Sequence, residues 1–315
     1  MIIMSTVGKI DMTLGRFEGP VMAYMEKEEG DFAKTSLKNK LYQNMSSKSY
    51  SESVGGLSGI GDMVATSGAV PYDTFEETYS KTFIHQEFQK GIEIKRSTID
   101  DSKIVDMKNQ AGTITDASNR TKEKFVHAPF AYAGATSFNL AGKTFENTGA
   151  DGLALISASH TVKTGKAGNQ SNLVSGAFST STLKTAEEAF RSLRTEAGEK
   201  SNVKPNMIFA PYALRNEVYE VINTGGKLGT GNNDKNVYEG KYEVIISDWL
   251  DELGCTDKAF LISSDYMKKC LYWIDRVPLE IRNQKEFNTG NWQIAAYERY
   301  SLGFTDFRWV VGINF

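Results

Sequence analysis

Between residues 50 and 97 the chain carries an alternating segment that owns no continuous apolar face. In PYDTFEETYSKTFIHQEF, Phe75, Glu77, Tyr79, Lys81 and Phe83 fall on one side, and Glu76, Thr78, Ser80 and Thr82 on the other. A period of two marks extended backbone. The half before it, YSESVGGLSGIGDMV, is glycine-dotted and poor in strand formers, with the turn placed from Ser67-Gly68 to Pro71. The segment therefore reads as a long, loosely patterned two-stranded projection. An isolated ribbon of this kind is marginal in water, and its open edges invite pairing. Any fold that contains it needs a further surface to cover it.

The segments on either side sharpen this requirement. Residues 1 to about 50 are polar, with scattered apolar anchors at Phe17, Val21, Tyr24, Met25, Phe32 and Leu37. Met22–Leu41 accommodates helical turns but lacks the apolar mass for a core, so it reads as an arm that lies on something else. After the projection the period changes. Ile104, Met107, Ala111, Ile114, Ala117, Thr121, Phe125 and Ala128 follow three-and-four spacing, the signature of a helix with one narrow apolar stripe. Asp100 and Asp101 suit its start and Pro129 its end or a kink. Some 28 residues would make a rod of about 40 Å.

The remainder alternates helices and strands and defines a mixed α+β class. Thr185 and Glu188 form a capping-box pattern ahead of Ala189, Phe190 and Leu193. MIFA (207–210) reads as a short buried strand, and Pro211 opens a helix closed by Gly225. GGKLGTGNND (225–234) is a flexible loop by composition. Strands are expected at 241–247, 258–263, 269–275, 277–283, 291–302 and 306–313.

Composition narrows the function classes. A chain of 315 residues with 40% hydrophobic and 24% charged residues is globular, large enough for a sizeable core. A net charge of −3 and a pI near 5.8 offer no global basic surface for nucleic acid. The N-terminus lacks a secretory pattern, and no apolar run is long enough to span a bilayer. Cys255 and Cys270 form no disulfide framework and read as small semi-buried side chains of a protein that folds in a reducing cytosol.

The stretch DGLALISASHTVKTGKAGNQSN (151–172) offers an acid, a histidine and two lysines among glycines, but no recognisable chemistry. GKAGNQSN and GGKLGTG lack the spacing and the GK[ST] ending of a phosphate loop, and GLSGIG (56–61) is not GxGxxG. His85, His127 and His160 have no metal-ligand spacing and read as surface or hydrogen-bonding histidines. No GxSxG elbow is present. The expectation is no catalytic residue, no cofactor and no metal.

Motif order then carries a resemblance. YSESVGG (50–56) with PYD (71–73), Asp100-Asp101, DGLALISASH (151–160) with QSN (170–172), PNMIFAPYALRNEVYEVINT (205–224), KAFLISSD (258–265) and AAYERYSLGFTDFRWVVG (295–312) follow one another. From residue 50 onward the chain resembles the major capsid proteins of tailed bacteriophages, in the Mu-like head-protein branch of the Hong Kong-phage-type capsid fold shared with encapsulins. The resemblance implies an N-terminal arm (1–49), an extended β-hairpin loop (50–97), a peripheral domain with a spine helix (98–149), an axial domain (150–268) and return strands of the peripheral domain with the C-terminal end (269–315). It implies a virion subunit, assembled in the host cytoplasm as hexamers and pentamers of an icosahedral shell around double-stranded DNA held by weak non-specific contact. Further implied partners are a portal protein, a decoration protein where one is used, and a separate scaffolding protein, because the short arm leaves no room for a scaffolding segment. Loop crosslinking through Lys81 is not carried over. The 151–172 stretch becomes a turn at Asp151-Gly152, a buried strand LALIS and a solvated or neighbour-contacting loop. Subunit-interface residues expected are Phe17, Phe32, Phe75, Tyr79 and Phe83, with Gly225, Gly226 and Gly229 near a symmetry axis. An encapsulin-like compartment and a soluble enzyme with an unrecognised site are the alternatives.

Overall fold

The computed structural model describes residues 10–57, 59–65, 68–70, 72–101, 103–225 and 235–315, with only the backbone described for residues 10–17 and Leu57. In chain order the elements are α1 (Ile10–Thr35), α2 (Lys38–Leu41), β1 (Gln43–Ser46), β2 (Ser51–Leu57), β3 (Glu77–Ile84), β4 (Gln86–Ile94), α3 (Arg96–Asp100) and α4 (Ile104–Ala131). There follow β5 (Ser137–Leu140), β6 (Lys143–Glu146), β7 (Leu173–Val174), α5 (Thr180–Ser192), β8 (Met207–Pro211), α6 (Arg215–Asn223), β9 (Glu243–Ser247) and α7 (Asp248–Glu252). The last are β10 (Ala259–Ile262), α8 (Ser264–Cys270), β11 (Leu271–Lys285), β12 (Trp292–Phe304) and β13 (Val310–Ile313).

Two sheets organise the body. One has the order β1-β11-β12-β4, and the other β7-β13-β10-β8-β9. In the first, β11 and β12 form a long antiparallel hairpin. Alternate residues Trp292, Ile294, Ala296, Glu298 and Tyr300 of β12 are buried, as a period-two strand with one covered face requires. What covers it at the far end is α1 and α4: Val21 and Met25 pack with Met107, Ala111 and Ile114 against Trp292 and Ile294. Gly112 of α4 makes room for this pairing, because a Cβ there would lie 2.9 Å from the Tyr24 ring. The arm thus forms a 26-residue helix, longer than Met22–Leu41, and its anchors Val21 and Met25 lie on its own subunit. Pro278 sits within β11 beside register shifts, beyond the stretch 272–275 that β1 pairs. At a free edge a missing N–H leaves no ladder bond unmade.

Helix α4 starts after its expected first turn and runs past its expected end. Pro129 does not stop it, the helix runs to Ala131, and Asp100 and Asp101 close the short α3 rather than opening α4. Its early turns bury a stripe, as expected, but every residue from Phe125 to Phe130 is buried. The small β5–β6 hairpin explains this, closing over Phe125 with Phe138 and Phe145.

The second sheet is built from short apolar runs with helices α5 and α6 against it. MIFA lies within β8, buried at every position. Helix α5 begins five residues ahead of Thr185, capped by Ser179, whose hydroxyl accepts from Thr182 N. Leu183, Ala186 and Phe190 share its buried face, so the apolar period starts at Leu183. The final strand β13 lies between β7 and β10 in this sheet, not among the long strands with which 269–315 was grouped. Similarly, β4 pairs β12, so the segment 86–94 belongs to the body and not to the projection.

All three histidines are buried, contrary to a surface placement, and each ties one segment to another. His127 Nδ1 donates to the Glu123 carbonyl at 2.8 Å, and Nε2 lies 2.8 Å from Ser247 Oγ. Burial lowers the His127 pKa from 6.5 to about 4. Between those values the unfolded chain takes up a proton that the folded chain refuses. This contribution to stability is present above pH 6.5 and is lost as pH falls through the window. Buried Glu123 and Glu298 are raised by desolvation and oppose it, so His127→Gln is the needed reference. Unfolding measured by denaturant titration is expected to show wild type losing up to about 3 kcal/mol more than the variant on going from pH 6.5 to 4. Parallel pH profiles would contradict this.

Candidate assembly surface

The projection is a real ribbon with a secured root. β2 pairs β3 from Ser51↔Ile84 to Leu57↔Glu77, so the glycine-dotted half is a strand despite its composition. At the root, Phe83 is only 3% exposed and tilts against Tyr272. Gly303, with φ +153°, admits it, since a Cβ there would stand 2.9 Å from the Phe83 ring. His85 Nδ1 lies 2.9 Å from Ser301 Oγ. Lys81 Nζ donates to Glu146 at 2.6 Å and to Thr148 Oγ1 at 2.9 Å, which holds the Glu146 carboxyl below the usual range.

The conspicuous 151–172 stretch serves the same end. Ala154, Leu155 and Ile156 are buried, but the backbone there forms isolated bridges and no strand. Asp151 Oδ2 accepts from His160 Nδ1 at 2.7 Å, and the imidazole stacks on Phe307 with ring centroids 3.7 Å apart. Beyond this pair, Lys163 Nζ donates to Thr78 O at 3.4 Å, and Lys166 pairs with Glu76 at 3.4 Å. The loop therefore props the ribbon of its own subunit.

Past these supports the chain turns outward. The Gly61 amide donates to Asp73 Oδ2 at 3.1 Å and holds the two legs together. Ile60, Val64 and Val70 are exposed, with Met63 at 104%, Tyr72 at 90% and Phe75 at 64%. Apolar side chains grouped on a projection with no cover mark a contact surface. The surface has the chemistry of desolvation, not of reaction.

The expected interface residues separate accordingly. Phe75 lies at the exposed end and Tyr79 is half-buried beside the cleft under the ribbon. Phe83, by contrast, is buried within its own subunit at the root. Phe32 is half-buried on α1, and Phe17 lies in α1 with its side chain outside the described residues. Gly225 follows α6, where its carbonyl accepts from Asn236 N at 3.2 Å. Gly226 and Gly229 lie outside the described residues. Sequence reasoning missed Phe287, 97% exposed in the β11–β12 turn. A bulky aromatic inside KEFNTG was the available signal.

Other chemistry is muted. Cys255 and Cys270 are free and buried, and burial raises the Cys255 thiol to about 11, so it is not an activated nucleophile. Among the described residues no group of three or more His, Cys, Asp or Glu is placed to hold a metal ion, and no helix is long and apolar enough to cross a membrane.

A two-sheet body with a long helix, an arm and an outstretched apolar ribbon defines a structural protein whose surfaces are made for contact. The family model described as phage capsid protein matches residues 78–313. The chain belongs to that family of phage capsid proteins. Similar solved structures include one from Microbacterium phage Oxtober96, with TM-score 0.55, 11% identity, and coverage of 88% of this chain and 90% of that one. The capsid of an empty GTA particle matches with TM-score 0.54 and 12% identity over 89% of both chains. The capsid of cyanophage P-SCSP1u matches with TM-score 0.53 and 10% identity over 88% of this chain and 87% of that one. The comparison with curated proteins found no match.

Proposed function

We propose that copies of this chain associate as hexamers and pentamers into an icosahedral shell that encloses double-stranded DNA. The observation that carries this reading is the ribbon, secured at its root and bare at its tip. Its apolar tip residues are largely exposed in their own subunit, and burying each on a neighbour contributes about 1.5–3 kcal/mol. Phe75 and Tyr79 contact the neighbour in this reading, while Phe83 holds the ribbon at the angle that delivers them. Phe32 of the arm adds a contact, and Gly225 lies near a symmetry axis. The four-stranded sheet with α1 and α4 is the peripheral domain, and the five-stranded sheet is the axial domain.

A net charge of −3 supports a wall that holds packaged DNA weakly, since tight phosphate binding needs clustered cations. Separate scaffolding and portal proteins, assembly in the host cytoplasm and a decoration protein outside the finished virion complete the reading. Electron microscopy of the expressed protein, with and without a scaffolding protein, tests it. Closed shells built of five- and six-fold clusters are the expected result. A monomer under both conditions would overturn it.

A further inference from the structure

At the end of the long β11–β12 hairpin the turn is firmly built, yet it presents Phe287 wholly to solvent. Glu286 N donates to Asn291 O and Gly290 N to Glu286 O, both at 2.9 Å. Asn291 Oδ1 accepts from Arg96 N at 2.9 Å, and its Nδ2 donates to Glu93 at 2.7 Å. Gly290 has φ +70°, and a Cβ there would meet Arg96 at 2.9 Å. A turn braced in this way loses little freedom when its aromatic is buried.

On the sheet face opposite α1 and α4, close to the same turn, lies a dent. The register aligns Arg282 with Ala295 and Gly91, and Gln284 with Gln293 and Glu93. In the first row two successive positions have no side chain beyond Cβ. They leave a hollow of about 500 Å³ lined by Gly91, Ala295 and Arg282 among others, where ~150 Å³ already holds a benzene ring. Gly91 and Ala295 are both exposed. The signs also match: Lys285 and Glu286 flank the knob, and Glu93 and Arg282 flank the hollow.

We infer that Phe287 of a second copy of this chain seats in the hollow over Gly91 and Ala295, with its Lys285 facing Glu93 and its Glu286 facing Arg282. The inference rests on the shell reading above and adds a specific contact to it. Knob and hollow are different patches, so the contact is head-to-tail and closes into a ring where the rotation permits. A phenylalanine buries about 150–250 Å², against roughly 800 Å² per partner in a stable pair. The contact therefore forms as one part of a larger assembly and does not by itself hold two free subunits together.

The test is a cysteine pair, Phe287→Cys with Ala295→Cys. Position 287 lies five residues along the strand from Arg282, the partner of Ala295, roughly 16 Å away. That exceeds the reach of a disulfide, so only an inter-chain bond forms, and the native cysteines are buried. Oxidised particles are expected to yield covalently linked chains on a denaturing gel. Phe287→Ser and Ala295→Met, both surface changes, are expected to keep the wild-type thermal midpoint and to raise the assembly concentration at least about tenfold. Particles without inter-chain bonds, together with both variants assembling at the wild-type concentration, would overturn the contact. If the wild type forms no particles, the shell reading is what fails. Because oxidation traps even a transient encounter, the cysteine pair in concentrated protein then decides the contact alone: linked chains keep it, and unlinked chains remove it.

Discussion

Replacing Tyr72 and Phe75 by serine is expected to abolish particle formation while leaving the subunit folded. Both side chains are largely exposed, so the isolated fold loses almost nothing, within about 0.5 kcal/mol for surface substitutions. In the assembly each loses the burial of an aromatic side chain, together about 3–6 kcal/mol per subunit. At 1.4 kcal/mol per factor of ten, the concentration needed for assembly rises at least about a hundredfold. Light scattering against protein concentration measures the threshold, and circular dichroism confirms the fold. Assembly of the double variant at the wild-type concentration would contradict the role given to the ribbon tip.

A second substitution acts on the body. Phe125 sits where α4, the β5–β6 hairpin and the long strands converge, with ring centroids 4.8 Å from Phe145, 5.1 Å from Phe88 and 5.9 Å from Tyr300. Phe125→Ala is expected to cost about 3–5 kcal/mol, combining lost transfer energy with an unfilled cavity. Denaturant titration of the dissociated subunit measures it, and a loss below about 1 kcal/mol would show that the cluster collapses to fill the space. The ribbon root rests on the same cluster through Phe88, which stacks on Tyr300 at 4.5 Å. The variant should therefore also expose the ribbon root to proteolysis.

Much of the fold was legible in local patterns. The spacing from Ile104 to Ala128 announced α4, and the short apolar run MIFA announced β8. Strand β2 was legible only as the loose first leg of the ribbon, because Gly55 and Gly56 carry no strand propensity and tertiary pairing with β3 makes the strand. Buried LALIS fooled the pattern in the opposite way: apolar content specifies burial, not backbone hydrogen bonding. Thr185 and Glu188 fit a capping box, but Ser179 and Thr182 fit the helix that Leu183 already begins. The placement of β13 beside β10 depends on chain crossing, which no local period encodes.

The candidate surface was half legible. Phe75 and Phe83 share a strand face in sequence, yet one is bare and the other buried. The difference comes from Gly303, more than two hundred positions away, which opens the space that Phe83 fills. Lys163 and Lys166 offered no recognisable chemistry in the sequence, and their contacts, Thr78 and Glu76, lie in a distant segment.

Oxidative footprinting of the ribbon tip, compared between assembled particles and dissociated subunits, tests most directly whether other copies cover it. Met63, fully exposed in the subunit, is the reporter, with Tyr72 and Phe75 beside it. Oxidation several-fold slower in particles than in subunits is predicted. Equal rates in the two states would mean that the tip stays bare in the shell, and that the subunits are held together by some other surface.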